Sequence, residues 1–394
     1  MVSRKGITPK AQEEIVQAIT SFALYGFPES HAASFALIAY ASAYLKCHYL
    51  AAFTAAILNN QPMGFYQPFT LVKDAQRHGL TVRPVDVTCS DWLCTIEESS
   101  PKPGAQTSCL PQGSWQSTSR QDACAPSRAL ALRLGLRYVK GLSEQSGKAL
   151  VRERMKRPFV SIDDLHHRVP ELRKDELRKL AAVGALNFIQ SRTGIPACPT
   201  SSLVLRELDI PTSDRQECLS YTNRRDALWQ VERVARPAGE LYEELHERDG
   251  NSPLTPMTRA ERMNADFRGT GLTVGRHPVA YHRPELNKLG VCRAVDMQQR
   301  RDGSAITIAG WVIVRQRPGT AKGFVFLTME DETGVANVIV TPQLFDKYRL
   351  VLVDHPFLLI TGTLQNQDNV FSVKARTVRA LSFTVEAAPS HDFH

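Results

Sequence analysis

The sequence predicts a chain of several domains that is mainly α-helical at first and all-β near its carboxyl end. Three observations predict this class. A length of 394 residues suits two to four domains, and 43% hydrophobic residues can fill more than one core. Apolar residues recur at helical spacing through the first hundred positions. From Ala305 to Leu381 the spacing changes to the period of two that is typical of β-strands.

The charge of the chain is positive and unevenly spread. The formal net charge is +8, and residues 128–180 contain fourteen Lys and Arg against seven Asp and Glu. Such a basic segment fits a polyanion such as nucleic acid, with a solvated helix surface as the alternative. The longest uncharged apolar stretch, Ala32–Leu45, is too short for a bilayer, and Met1 begins no secretory leader. These features predict a cytoplasmic protein with no membrane partner.

The cysteines do not form a metal-binding or disulfide pattern. None of the eight belongs to a C-x-x-C pair, and the nearest two, Cys89 and Cys94, have four residues between them. Zinc sites and disulfide frameworks need better spacing than this. We therefore expect reduced thiols, no metal ligands and no cofactor held by this chain.

The first hundred residues are predicted to be helices interrupted by a turn. Thr8 and Pro9 are a start signal, and Tyr25–Pro28 breaks the pattern. Ser30 is a good N-cap for a segment that is apolar on every side, which predicts that this helix is buried on every side. Gly79–Val87 is typical of a turn followed by a short strand. The segments predicted to be helical here are Lys10–Phe22, Ala32–Tyr49 and Phe69–His78.

Two glycine-centred turns lie between short helices after a segment of unusual composition. Residues 99–127 are rich in Ser, Pro, Gly and Gln, which predicts a mobile insertion. Beyond it, Val139–Leu142 precedes one predicted helix, and Val183–Leu186 ends another. Short helices joined by a turn of this kind are typical of helix-hairpin-helix units. The predicted helices are Ser143–Arg157, Ile162–His167 and Lys174–Ala182.

The turns of such units offer backbone amides to phosphates, and glycine lets the two chains approach closely. Gly141 and Gly184 meet this need, but Ser143 and Leu186 stand where a second glycine is usual. Gly184 lies among small apolar residues, so helix packing is the alternative for it. Nearby cations favour the first turn as the DNA contact. The DNA-binding residues predicted in this region are Lys140, Gly141, Lys148, Arg152, Arg154 and Gly184.

The last part of the chain is predicted to be an OB barrel. Residues 191–303 are Pro-, Arg- and Glu-rich, and the sequence assigns them no core of their own. The alternation that follows predicts five strands, with a short helix at Gln343–Tyr348 between the third and the fourth, which is the OB order. The predicted strands are Ile306–Val314, Phe324–Glu330, Val335–Val340, Phe357–Leu364 and Val370–Arg376.

The second of these strands carries a candidate nucleic-acid surface. Phe324 and Phe326 share one face with Thr328, and the other face is aliphatic. If the aliphatic face fills the barrel, the phenylalanines are outer platforms for base stacking; otherwise they belong to the core. Cations of the preceding loop suit a phosphate backbone, with a solvated loop as the alternative. These cations are Arg315, Arg317 and Lys322.

No pattern for a catalytic centre is present in the sequence. There is no Gly-rich Lys loop, no H-E-x-x-H and no nucleophile motif. Two-metal nucleotidyl transfer needs paired carboxylates that hold ions about 3.5–4 Å apart. Adjacent acids such as Asp163 and Asp164 point in different directions on a helix. Glu330–Glu332, before Thr333 and Gly334, is more simply a hairpin turn. We expect no catalytic residue and no metal site in this chain.

Several longer motifs follow one another through the chain. They are Tyr25–Ala36, Tyr44–Tyr49, Gln61–Tyr66, Arg83–Val87, Leu134–Leu142, Thr270–Pro278, Arg315–Gly323 and Asp392–His394. In sequence and order these motifs resemble the bacterial C-family replicative DNA polymerases, and most closely their error-prone, damage-inducible branch. Apart from two divergent stretches, the resemblance covers the chain from end to end.

This resemblance implies the distal fingers, tandem helix-hairpin-helix units and OB domain of such an enzyme. It also implies that His31 faces the triphosphate of an incoming nucleotide, with help from Lys46 or His48. From the residues alone, the alternative is that His31 is only the first helical residue beyond an N-cap. The family's amino-terminal metallohydrolase-like domain, carboxylate-bearing palm, thumb and proximal fingers have no counterpart here. We therefore expect no polymerase activity from this chain alone.

The expected role is the DNA-binding, carboxyl-terminal portion of an error-prone polymerase that acts in translesion repair. The expected partners are DNA, as primer–template duplex and single-stranded template, a palm-containing polypeptide and translesion accessory proteins. Mg²⁺ is expected for the complete polymerase. The alternative is a stand-alone, non-catalytic DNA-binding accessory protein. The predicted regions are 1–98 fingers-like, 99–128 insertion, 129–190 helix-hairpin-helix, 191–303 helical connector, 304–381 OB-fold and 382–394 tail.

Overall fold

The structure, a computed structural model, describes the chain in segments. These are residues 10–11, 13–17, 29–64, 66–98, 130–189, 224–234, 252–367, 370–383 and 391–393. The chain divides into two compact units, Met1–Phe53 and Thr54–His394. Among the helices of these segments, none is both long enough and apolar enough to cross a membrane.

The first unit contains helix α1, Glu29–His48. The predicted N-cap Ser30 therefore lies inside the helix and does not precede it. Residues 10–11 and 13–17 are also helical. The predicted continuation of that earlier helix to Phe22, and the break at Tyr25–Pro28, fall outside the described residues.

The side chains of α1 are exposed around the helix. Leu37 is 69% exposed and Tyr40 is 73% exposed, although both are apolar enough for a core. The prediction that this helix is buried on every side is wrong. Burial requires a second apolar surface that covers the first. The described part of the first unit provides no such surface.

Two further helices precede, in the sequence, the small sheet of the second unit. They are α2, Leu50–Asn59, and α3, Pro68–Arg77. A proline at the first position of α3 is favourable because the N–H that it lacks would have no partner inside the helix. Phe69 and Val72 lie on the buried face of α3. The helix predicted at Phe69–His78 is confirmed.

A three-stranded sheet contains two strands from before the predicted insertion and one from after it. Strand β1, Thr81–Arg83, runs parallel to β3, Leu130–Arg133, while β2, Thr95–Glu98, pairs with β3 in the antiparallel sense. Glu97 on β2 accepts hydrogen bonds from Arg133 at 2.7 Å and from Arg83 at 3.0 Å. The predicted fingers-like and helix-hairpin-helix regions therefore share a sheet. The insertion itself lies outside the described residues.

Three helices follow β3 in the region predicted to contain the hairpins. They are α4, Glu144–Lys156, α5, Ile162–Arg168, and α6, Lys174–Ala182. Each agrees with its predicted segment to within one residue at either end. Ser143 and Ser161 cap α4 and α5, because each side chain accepts a hydrogen bond from an amide of the first turn. The fully buried leucines of these helices and their connections are Leu150, Leu165, Leu172, Leu177 and Leu180.

The described part of the predicted connector contains three helices, and the first two of them pack on this region. They are α7, Arg224–Val234, α8, Arg259–Thr270, and α9, Pro278–Lys288. Helix α7 contacts α5 and α6. Its first residue, Arg224, is 1% exposed and donates a hydrogen bond to Asp266 of α8 at 2.6 Å. The connector therefore shares the core of the hairpin helices.

The carboxyl-terminal strands close into a barrel. Their order is β4, β5, β6, β8, β7 and back to β4, with β6 and β8 parallel and every other pair antiparallel. A helix, α10, stands between the third and fourth strands. This is the predicted OB barrel. Its elements are β4 Ala305–Gln316, β5 Val325–Glu330, β6 Val335–Val340, α10 Pro342–Asp354, β7 Phe357–Gln367 and β8 Val370–Ala380.

Aliphatic residues of all five strands fill the barrel. In β5 they are Val325, Leu327 and Met329, each at most 4% exposed. A last short strand, β9 at His391–Phe393, runs parallel to the end of β4. The alternation that predicted the strands thus separates the barrel core from its outer surface.

Candidate nucleic-acid interface

The outer surface of the barrel carries a row of side chains in strand register. Phe326 on β5 lies opposite Ile339 on β6, and Ile339 lies opposite Lys374 on β8. Because Val325 and its alternate neighbours fill the core, Phe326 points outward, where it is half-buried. The sequence left two alternatives open for this strand. The observed one has an aliphatic core and outer phenylalanines.

This row combines groups that suit both parts of a nucleotide. Neighbouring strands are about 4.8 Å apart, so Phe326 and Lys374 are separated by roughly 10 Å of sheet. A base stacks on an aromatic ring, and a phosphate pairs with an ammonium group. The adjacent row is polar and consists of Thr328, Asn337 and Ser372. The face therefore offers stacking, charge and hydrogen-bonding groups side by side.

The loop between β4 and β5 brings two of its three predicted cations to the surface. Arg317 is exposed, with its guanidinium 4.7 Å from the ring centroid of Phe345. Lys322 is exposed and has a left-handed backbone with φ of 50°. Phe324, which follows them, is half-buried and its amide donates to Ala321 at 3.0 Å. These positions border the start of β5.

Arg315, the third cation, has a structural role. Its Nε donates to the carbonyl of Leu352 at 2.7 Å and its Nη2 to the carbonyl of His355 at 2.8 Å. These carbonyls belong to the carboxyl end of α10, which has no further helical amides to donate to them. The guanidinium therefore holds α10 against the barrel. Its contribution to a phosphate contact stays a prediction.

Three cations of β8 are part of the surface and were missed by the sequence analysis. Lys374, Arg376 and Arg379 are exposed, and no carboxylate of the described residues pairs with them. The predicted strand at Val370–Arg376 already contained the signal, because Lys374 and Arg376 alternate with apolar residues. Which strand lies beside β6 is decided by the barrel topology and could not be read from that pattern.

The first hairpin turn exposes its glycine among cations. Gly141 has φ of 77° and is exposed. The Nζ of Lys179, a residue that the sequence analysis did not include, donates to the carbonyl of Gly141 at 3.1 Å. Lys140 donates through its amide to Gly269 at 2.7 Å and through Nζ to the carbonyl of Phe267 at 3.2 Å. The turn is thereby fixed against α6 and α8.

The cations of α4 differ from one another in their surroundings. Lys148 is exposed and pairs with Glu144 of the preceding turn. Arg152 is exposed and pairs with Glu171 at 2.8 Å. Arg154 is 11% exposed and ties α4 to the loop before β2, because it donates to the carbonyls of Val87 and Ser90 and to the carboxylate of Asp91. Of these residues, Lys148 is the most accessible to a phosphate.

The contacts of Gly184 agree with the alternative in which this glycine allows helices to pack closely. Its φ of 81° ends α6, and its amide donates to the carbonyl of Ala181 at 3.0 Å. The glycine is buried, and a Cβ added here would lie 2.7 Å from Nε of Arg224. An amide in that position is directed at its own helix. A phosphate contact at Gly184 stays a prediction that this geometry does not favour.

One buried carboxylate connects the first turn to α6. Glu176 accepts hydrogen bonds from the amide of Ser143 at 2.8 Å, the hydroxyl of Ser146 at 2.9 Å and the amide of Arg173 at 3.0 Å. Burial raises the pKa of Glu176, but the amides of Arg173 and Ser143 and the hydroxyl of Ser146 outweigh it and hold this pKa below its usual value. Sequence reasoning missed this residue.

The three predicted nucleotide-binding residues all lie on α1. His31 is exposed, with its ring 4.5 Å from that of Phe35. Lys46 and His48 lie in the last turn of the helix. Fifteen residues of helix separate His31 from Lys46, or about 22 Å. The structure therefore does not bring the three together on one triphosphate.

Carboxylates that neighbour another acid in the sequence accept hydrogen bonds from cations and backbone amides. Asp164 accepts from Arg157 at 2.7 Å and Arg168 at 3.1 Å. Asp331 accepts from Thr333 and Gly334, which confirms the predicted hairpin turn. Within the described segments, no three His, Cys, Asp or Glu side chains are placed to hold a metal ion.

Comparison with known families supports the two predicted modules. Residues 79–194 match a family described as helix-hairpin-helix motif. Residues 306–381 match a family described as OB-fold nucleic acid binding domain. Among solved structures, the asparaginyl-tRNA synthetase from Pyrococcus horikoshii is 18% identical over 24% of this chain and 24% of its own, with a TM-score of 0.21. That likeness is too low to bear on the fold.

Curated proteins similar to this chain include several that are named error-prone DNA polymerase. Error-prone DNA polymerase from Anaeromyxobacter sp. (strain K) is 37% identical over 100% of this chain and 30% of its own length. The Burkholderia pseudomallei error-prone DNA polymerase is 37% identical over 99% of this chain and 32% of its own. Error-prone DNA polymerase 2 from Agrobacterium fabrum is 36% identical over 96% and 31%. The chain thus spans about 30% of the length of these relatives. It belongs, as a carboxyl-terminal portion, to the family of the bacterial error-prone DNA polymerases.

Proposed function

We propose that this chain binds the DNA of an error-prone polymerase, with single-stranded template on the barrel and primer–template duplex at the first hairpin turn. The row of Phe326, Ile339 and Lys374 is the observation that carries the proposal. The packing of a barrel core does not explain why an aromatic ring points outward in register with Lys374, a cation that pairs with no carboxylate of the described segments. Single-stranded DNA explains both, because each nucleotide has a flat base and a charged phosphate.

The barrel face suits a single strand better than a duplex. Bases of a duplex are stacked on one another and present only their edges in the grooves. Phe326 and Ile339 would therefore meet unpaired bases, while Arg317 and Lys322 on one side and Lys374 and Arg376 on the other follow the phosphates. Phe324 extends the stacking surface towards the loop. A charge-based grip of this kind does not depend on sequence.

The first hairpin turn suits the backbone of a duplex. Gly141 is exposed in a left-handed conformation that brings the backbone near a ligand without a side chain in the way. Lys140 adjoins Gly141 in the chain, and Lys179 donates to the carbonyl of Gly141. Lys148 is exposed on the following helix, α4, and adds a further positive charge. Contacts to phosphates fix the position of a duplex and leave its sequence unread.

Nucleotide joining itself is proposed to need a palm-containing polypeptide. Within the described segments no group of acidic side chains is placed to hold a metal ion, and Asp164 and Asp331 accept hydrogen bonds from arginines and an amide. The exposed apolar side chains of α1, such as Leu37 and Tyr40, are a surface that such a polypeptide would cover. His31, Lys46 and His48 are proposed to act towards an incoming nucleotide in that assembly, at separate points along the helix. A role in translesion synthesis is proposed on the same basis.

Binding of a labelled single-stranded oligonucleotide, followed by fluorescence anisotropy, tests the barrel face. Phe326→Ala removes one stacking platform, and base stacking is worth roughly 1–3 kcal/mol. We therefore expect the dissociation constant to rise about tenfold. Leu350→Ala is the matched control, since Leu350 is 77% exposed on α10. Equal binding by both variants and the unchanged chain would refute the barrel face as the site.

A primer-extension assay distinguishes two hypotheses, namely that the chain is part of a polymerase or that it is a stand-alone DNA-binding protein. The chain alone is expected to bind primed DNA and to extend no primer. A mixture with a palm-containing polypeptide of an error-prone polymerase is expected to extend it in the presence of Mg²⁺. Extension by the purified chain alone would contradict the proposal. Binding without any extension from the mixture would favour the stand-alone accessory protein.

A further inference from the structure

The outer surface of the barrel also carries a buried carboxylate. Glu330 is the last residue of β5 and follows Phe326 and Thr328 on the same side of the strand, away from the core. Unlike them it is 0% exposed. Neither of its oxygens has a well-directed hydrogen-bond donor among the described residues. A carboxylate in this position is costly to bury unless nearby cations compensate it.

The compensating charges come from α3. Nη1 of Arg77 lies 2.7 Å from Oε1 of Glu330. Lys73 of the same helix is also buried and acts on Glu330 with its charge, while its Nζ donates to Gln76 at 2.9 Å and to the carbonyl of Gly275. The close contact between Arg77 and the buried Glu330 therefore ties the barrel to α3.

A histidine completes the surroundings of Glu330. Nδ1 of His277 accepts from the amide of Val279 at 3.2 Å, so the proton of the neutral ring is on Nε2. That Nε2 lies 3.9 Å from Oε2 of Glu330. Burial, followed by the charges of Lys73, Arg77 and Arg283, keeps the pKa of His277 well below its usual value. Glu330 therefore faces two cations and one neutral N–H.

An aromatic cluster continues from this site to the first hairpin turn. Trp311, the partner of Glu330 in strand register, lies with its ring 4.9 Å from Phe69 and 5.4 Å from Phe267. The carbonyl of Phe267 accepts from Nζ of Lys140. Contiguous packed groups thus extend from Glu330 on the barrel to Lys140 beside Gly141.

We infer that Glu330 is a positioning residue that sets the barrel face relative to the Lys140–Gly141 turn, so that one DNA molecule contacts both at once. The inference rests on the proposed function, because it concerns the same two surfaces. Linked sites that are held in the right geometry bind a joint ligand far more tightly than either alone. A shift of the barrel against α3 would separate the buried carboxylate of Glu330 from Arg77, which is costly.

Two DNA probes and one substitution test the inference in the full chain. The first probe is a single strand of about six nucleotides, which one OB barrel covers. The second is a duplex with a single-stranded overhang, which reaches both surfaces. For Glu330→Gln we expect unchanged affinity for the short strand and about tenfold weaker binding of the overhang duplex. Glu285→Gln, at an acid that is 78% exposed, is the matched control and is expected to change neither.

The double variant Glu330→Gln with Arg77→Gln removes both members of the ion pair. It is expected to recover part of the affinity for the overhang duplex, because Arg77, the cation in contact with Glu330, is no longer left without its partner. The double variant replaces the single variant if that one does not fold. An overhang advantage that persists in full in Glu330→Gln, or in the double variant where the single variant does not fold, overturns the inference, as does an equal loss on both probes. Phe326→Ala tests the proposed function separately. If this variant binds the short strand as tightly as the unchanged chain does, the proposed function itself is refuted.

Discussion

The carboxylate of Glu176 on α6 accepts a hydrogen bond from the backbone amide of Ser143, 2.8 Å away at the start of α4. It also accepts from Ser146 and from the amide of Arg173, so a single side chain caps two helices. Amides at the start of a helix have no partner inside it, and a buried one needs a substitute. The first hairpin turn is thereby held between α4 and α6.

We expect Glu176→Gln to destabilise the fold by about 1–3 kcal/mol at neutral pH. The neutral amide accepts more weakly, and its own N–H₂ faces other donors. Because the folded pKa of Glu176 lies below its usual value, the stabilisation is present above about pH 4.5 and is lost as the pH falls through the folded pKa. Urea unfolding monitored by circular dichroism measures this. Glu144→Gln, at a carboxylate that is 58% exposed, should differ little from the unchanged chain.

The buried Glu330 predicts the opposite pH dependence. Burial raises the pKa of this carboxyl to about 7 from an ordinary value of 4.5, although Arg77 and Lys73 lower it. Between these pH values the unfolded chain has released a proton that the folded chain keeps. The free energy of unfolding therefore falls as the pH rises, by about 1.4 kcal/mol per unit of pKa difference.

In Glu330→Gln this decline should be absent, so the difference in Tm between the variant and the unchanged chain should depend on pH across this range. Differential scanning calorimetry at several pH values measures it. Glu285→Gln is again the exposed control. A constant difference across the range would show that Glu330 keeps an ordinary pKa.

The two hairpin glycines are expected to respond differently to alanine. Both have positive φ, which costs a residue with Cβ about 1–2 kcal/mol. At Gly184 the Cβ also meets Arg224, so Gly184→Ala should destabilise the fold by more than this. At Gly141 it meets the flexible end of Lys179, which can move. Gly141→Ala should therefore weaken duplex binding with a smaller loss of stability.

Thermal unfolding and anisotropy with a short duplex, measured side by side, separate these effects. Gly79→Ala supplies the control, because Gly79 has φ of 91° and open space around its Cβ position. It should show the backbone cost alone and normal DNA binding. Duplex binding that is insensitive to Gly141→Ala but lost in a folded Gly184→Ala would reverse the assignment of the two turns.

The cations of β8 should appear in the salt dependence of single-strand binding. Each phosphate contact to a single strand contributes about −0.7 to the slope of log affinity against log salt concentration. For Lys374→Gln with Arg376→Gln we expect a slope that is shallower by roughly 1.4. Arg293→Gln, at an exposed arginine paired with Asp296, should leave the slope unchanged. Identical slopes for all three proteins would place the strand elsewhere.

Local patterns in the sequence predicted the hairpin helices and the barrel strands of the second unit. The caps Ser143 and Ser161 mark where α4 and α5 begin, and the alternation in β5 separates Val325 from Phe326. Such signals act between residues a few positions apart, so they are read directly from the sequence. The hairpin turn at Asp331 was predicted for the same reason.

The accessibility of individual cations was not predictable in this way. Arg154 and Lys148 lie on the same helix. Arg154 donates a hydrogen bond to a loop that lies 64 residues earlier in the chain, whereas Lys148 is exposed. The partners of Arg315 are 37 and 40 residues distant. A sequence pattern contains no information on such distant partners, so structural and DNA-binding cations look alike.

The sequence by itself determined the order of the modules, the bounds of the hairpin helices and barrel strands, and the family. The tertiary structure alone decided which charged side chains have their partners inside the protein and which remain accessible to a ligand. Glu176, Glu330 and Arg154 belong to the first group. It also decided that α1 is exposed despite its composition. The physical reason is that helices and strands depend on neighbours within a few residues. Burial and charge pairing depend on whatever distant segment the fold brings alongside.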